Sequence, residues 1–70
     1  MNSVAIGEKL RELRGSVPME TVARELKISK SAVSMYENGS RIPRDDVKMR
    51  IAKFYGKSVA AIFFDPKDHI

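Results

Sequence analysis

Helix-ending residues recur along this 70-residue chain at Gly15, Pro18, Asn38-Gly39, Pro43 and Gly56, and the stretches between them space their apolar residues at helical intervals. Ile6, Leu10 and Leu13 fall on one stripe, with Val4 beside them and Glu8, Lys9, Arg11 and Glu12 opposite. That pattern predicts an amphipathic helix over about 4–14, ended by Gly15. Pro18 suits the first turn of a second helix, which Val22, Ala23 and Leu26 extend over about 18–26. Ser29 is a natural N-cap for a third helix over 30–37, closed by Asn38-Gly39. Val47, Ile51, Phe54 and Tyr55 mark a fourth helix over about 44–55, with Asp45 and Asp46 opposing the helix dipole in its first turn. Gly56 stops it, Ser58 can cap a short fifth helix over about 59–64, and Asp65-Pro66 begins a polar tail. The expected fold is all-α, a compact bundle of five short helices.

A chain of this length supports one domain, expected over 1–64 with a tail over 65–70, and such small domains bury only about 60% of the surface they expose when unfolded. The absence of cysteine excludes disulfides and thiolate metal sites, so packing must hold the domain. No window approaches the roughly 20 apolar residues of a membrane span, and no signal-type apolar segment opens the chain. A soluble cytoplasmic protein is expected. His69 stands alone in the tail, the acids are scattered or serve helix starts, and no Gly-rich phosphate loop or metal-ligand spacing occurs. Neither an enzyme nor a cofactor is expected.

Thirteen Lys and Arg oppose nine Asp and Glu, a net charge of +4 with a pI near 9.7. Position says more than total. Arg24, Lys27, Lys30, Arg41, Arg44, Lys48, Arg50 and Lys53 face only Glu25, Glu37, Asp45 and Asp46 over 24–53, so this stretch carries the whole excess. It favours an anionic partner, although the same charge also serves solubility. Within it only three residues separate the second and third helices, the spacing of a helix-turn-helix. Val33 and Tyr36 should face inward from the third helix, with Val22, Leu26 and Ile28 packing around the turn and small Ala23 permitting close approach. The outward face then holds Lys30, Ser31, Ser34 and Met35, with Ala32 at its edge, a face as short as base edges in a major groove require and also compatible with plain solvation.

The ordered series "IGEKLRELR", "ETVARELKIS", "KSAVSMYENG", "IPR" and "KMRIAKFYGKSVAAIFF", covering about 6–64, resembles the lambda-repressor-like (Cro and phage repressor, Xre type) helix-turn-helix domains. The resemblance implies double-stranded DNA binding with the third helix in the major groove, and the expected function is that of a sequence-specific transcriptional regulator, a repressor acting as a homodimer on a palindromic operator. Lys30 would donate to guanine, Ser31 and Ser34 would pair with several base edges, and Ala32 and Met35 would meet thymine methyls. Backbone phosphates would be held near Met19, Lys27 and Ser29, by Asn38 and Ser40, and by Arg41 and Arg44. The family also pairs an arginine closing the first helix with a glutamate closing the third, places that Arg14 and Glu37 occupy.

The chain departs from that family's pattern in places. Met19 replaces a glutamine that contacts phosphate and braces the reading helix, Lys27 replaces a glycine of the turn, and the link over 15–17 is about two residues short. In the fifth helix Ala60 and Ala61 stand where acids are common. A helix so short should not bury all of Val59, Ile62, Phe63 and Phe64, so Val59, Ala60, Ile62, Phe63 and Phe64 are expected to form a dimer interface. The competing reading is an antitoxin-type or adaptor protein whose main partner is another protein.

Overall fold

A computed structural model describes residues 2–64 as five helices. They are α1 (Ser3–Arg14), α2 (Met19–Leu26), α3 (Lys30–Glu37), α4 (Asp45–Tyr55) and α5 (Val59–Phe63). The tail expected over 65–70 lies outside the described residues. Element boundaries differ from the sequence reading by a residue or so, and capping explains each difference. Asn2 accepts at Oδ1 from the amides of Val4 and Ala5, so α1 starts at Ser3. Pro18 and Arg44 are extended N-cap residues, outside the helices they introduce, and Phe64 is likewise extended. Ser29 and Ser58 cap α3 and α5 through Oγ, as their positions suggested.

The α2–α3 turn closes on Lys27, the one non-glycine with positive φ among the described residues (φ 58°). Its amide bonds Arg24 O at 3.2 Å while that of Ile28 bonds Ala23 O at 3.0 Å. Gly56 ends α4 in the same way, with its own amide to Lys53 O and that of Lys57 to Ala52 O. A side chain in this left-handed region costs about 1 kcal/mol. Lys27, standing where the family has a glycine, carries that cost.

Ile6, Leu10, Val22, Leu26, Val33, Tyr36, Val47, Ile51, Ile62 and Phe63 form the core, with Ala23, Ala32 and Ala52 filling the closest approaches. Three expectations need correction. Phe54 and Val4 lie outside it, 38% and 57% exposed, because Ala52 takes the inner arc of α4 and Ile6 that of α1. Ala32 is buried beside Val33 and Tyr36. Ile62 and Phe63 are 2% and 1% exposed, inserted against α4 and α1, so both adjacent residues of the short helix reach this chain's own core. Of the five residues assigned to a dimer contact only Ala60 and Phe64 are exposed, while Val59 is half-buried and packs against the core.

The crossing of α1 over the end of α3 is unusually close. A Cβ on Gly7 would stand 2.3 Å from Glu37 O and 2.8 Å from Tyr36 O, both backbone atoms that cannot swing aside. Gly7 thus sets the distance between the two helices. Gly7→Ala should lower stability by about 3 kcal/mol, read as a shift of the urea midpoint, by pushing α1 off α3.

Candidate nucleic-acid interface

Successive residues of an α-helix turn by about 100°, and α3 divides cleanly on that spacing. Ala32, Val33, Tyr36 and Glu37 lie on one arc and are buried, while Lys30 and Ser31, exposed, and Ser34 and Met35, half-buried, lie on the other. Four of the five residues assigned to base readout thus share the outer arc. Ala32 does not, because its small side chain is used at the packed side.

The ends of α3 are fixed by polar contacts. Ser29 Oγ accepts from the Ala32 amide at 3.0 Å, spending that hydroxyl on the helix itself. At the other end Arg14 grips Glu37 with two hydrogen bonds, Nε to Oε2 at 2.6 Å and Nη2 to Oε1 at 2.9 Å. The same guanidinium donates from Nη1 to Val17 O at 2.9 Å, tying down the short link after α1. The Glu37 side chain is 3% exposed and that of Arg14 17%. The Glu37 hydrogen bonds hold the Arg14 pKa above its already high ordinary value, against the opposing effect of burial. Burial, reinforced by the Glu37 charge, raises the phenol of nearby Tyr55. The expected Arg14–Glu37 pair is present as a bidentate bridge.

The residues assigned to the DNA backbone lie at the start and end of α2, at the cap of α3 and in the loop between α3 and α4. Pro18 supplies no side-chain cap to α2, and the first amides that return to its carbonyl are those of Thr21 and Val22. The amides of Met19 and Glu20 therefore lack an intrahelical acceptor. The side chain of Met19 packs partly against the core. After α3 the chain folds back, with the amides of Ser40 and Arg41 both donating to Met35 O. Asn38 Oδ1 accepts from the Ser40 amide and hydroxyl at 2.9 and 2.5 Å, so these two side chains shape the turn. Lys27, Arg41 and Arg44 are exposed, and the two arginines border an open groove with Ile42, Asp46 and Arg50.

A model of the helix-turn-helix family matches residues 8–62. The chain belongs to the lambda-repressor-like (Xre-type) helix-turn-helix family. Comparison with curated proteins gives no match, and comparison with solved structures gives none. As a member of this family the protein is a DNA-binding transcriptional regulator whose nucleic-acid partner is double-stranded DNA. Its helix-turn-helix is formed by α2 and α3. Among the described residues no helix is long and apolar enough to cross a membrane.

Several residues that support this helix-turn-helix carried little or no sequence signal. Arg50 donates to Leu26 O at 2.8 Å and to Asp46 Oδ2 at 3.2 Å, so α4 holds the carbonyl end of α2. Only its spacing from Asp46 was visible in the sequence. Lys48 is buried, its Nζ 5.7 and 5.8 Å from the ring centres of Phe63 and Phe64 and 3.6 Å from Asp45 Oδ1. Glu20 lies 3.4 Å from Lys30 across the two helices.

Removing one member of the Arg14–Glu37 bridge leaves the other charge poorly solvated. Arg14→Ala should cost about 3 kcal/mol of stability in urea unfolding, whereas Arg14→Met combined with Glu37→Leu should recover most of that loss.

Proposed function

We propose that this protein is a sequence-specific repressor that lays α3 in the major groove and binds a palindromic operator as a homodimer. The observation that carries the reading is the division of α3. Its inner arc is fully committed to the core, and its outer arc presents only Lys30 and the short or flexible Ser31, Ser34 and Met35. A helix enters a groove about 12 Å wide only when its leading side chains leave room for base edges. Lys30 would donate to guanine O6 and N7, the serines to varied edges, and Met35 would meet thymine methyls.

Around that arc the uncapped amides of Met19 and Glu20, the amides opening α3 after Ser29, and the cations Lys27, Arg41 and Arg44 supply donors for phosphates on both sides. Asn38 and Ser40 would act chiefly by fixing the turn that carries Arg41. Dimerisation would use the exposed residues at α5, Ala60 and Phe64, and would set two α3 helices about 34 Å apart, facing half-sites roughly 10 base pairs apart centre to centre.

Selection of duplexes from a random pool should yield a palindrome. Lys30→Ala and Met35→Ala should each relax preference at particular bases by about 1 to 3 kcal/mol, while Arg41→Ala should weaken all duplexes alike. In sedimentation, Ala60→Glu should shift a dimer to monomer without unfolding it. No enrichment and no salt-dependent binding would instead favour a protein-directed role such as that of an antitoxin or adaptor.

A further inference from the structure

Lys30, the only cation on the outer arc of α3, is not independent of the rest of the protein: its Nζ lies 3.4 Å from Glu20 Oε1, on the opening turn of α2. We infer that Glu20 is a specificity-determining positioning residue, holding Lys30 over a base edge and away from the phosphates; this rests on α3 being the reading helix. In the free protein both side chains are well exposed, 61% and 75%, and such a pair contributes little to stability in water. Binding changes its environment. As α3 enters the groove, water leaves the space between the helices and phosphates surround it, so an uncompensated Glu20 carboxylate becomes unfavourable. The partner that can neutralise it is already in place.

The pairing also fixes what Lys30 does. An ammonium has three N–H donors, and one directed at Glu20 leaves two, matching the O6 and N7 acceptors of guanine. Released from Glu20, a flexible four-carbon stem would reach phosphate instead, adding affinity without sequence preference. Met19, next along α2, cannot substitute, since its side chain is apolar and packs partly on the core. The bridge between the amino-terminal ends of α2 and α3 is therefore ionic in this protein.

Duplex selection followed by binding titrations on single-base variants tests this. Glu20→Gln, similar in shape and exposed, should keep the wild-type Tm by circular dichroism. It should bind random duplex more tightly, with a salt slope steeper by about 0.9 as Lys30 gains a phosphate. It should also lose at least about fivefold discrimination at the base position that Lys30→Ala relaxes. The Glu20→Gln/Lys30→Ala pair should lose no more at that position than Lys30→Ala alone. Wild-type preference retained in Glu20→Gln, or a loss spread evenly over all positions, would overturn the role of Glu20 while leaving α3 as the reading helix. A wild-type protein that enriches no duplex would overturn both.

Discussion

The contact on which the orientation of α3 depends is its carboxyl end, where Glu37 is enclosed beneath α1 and neutralised by Arg14. An ionised carboxylate 3% exposed is stable there only if paired, and Arg14 pairs it in the planar two-bond geometry that a lysine cannot reproduce. Gly7 permits the approach, because any side chain at that point would strike the Glu37 and Tyr36 carbonyls. Glycine and ion pair act together. One sets how near α1 comes to α3, and the other fixes the rotation of α3 about its own axis. With an eight-residue helix whose fully buried residues all lie on one arc, that rotation decides which side chains point outward.

The remaining supports hold the partner helix. Arg50 bonds the carbonyl end of α2, and Lys27 closes its turn in a conformation that glycine would adopt more readily. The strain at Lys27 is local, and it places a cation at the corner of the helix-turn-helix. At the far side Lys48 covers Phe63 and Phe64 while meeting Asp45, which keeps α5 against the start of α4. A single small core thus positions both the proposed reading face and the outward residues of α5.

Much of this architecture was legible in the residues. Gly15, Ser29, Asn38 and Gly56 mark helix ends because their local chemistry is decisive there, and α3 falls on the expected span. The pairing of Arg14 with Glu37 was legible only through family resemblance, since the residues lie 23 positions apart and nothing local links them. The assignments that failed have one cause. Ala32, Ile62, Phe63, Phe54 and Val4 are all apolar, and helical spacing alone does not say how far the buried arc extends on each side. Lys48 shows the converse, a cation whose stem is covered because aromatic rings lie beside it.

By itself, then, the sequence determined five helices, their order, the residues that end most of them and the family, because these follow from short-range backbone preferences and from the periodicity of apolar residues. Tertiary structure decided which residues remain available to DNA or to a second copy. Burial depends on the neighbouring helix. It removed Ala32 from the outer arc of α3, drew Ile62 and Phe63 into the core, and brought Glu20 to Lys30 through the packing of α2 on α3, which no spacing along the chain encodes.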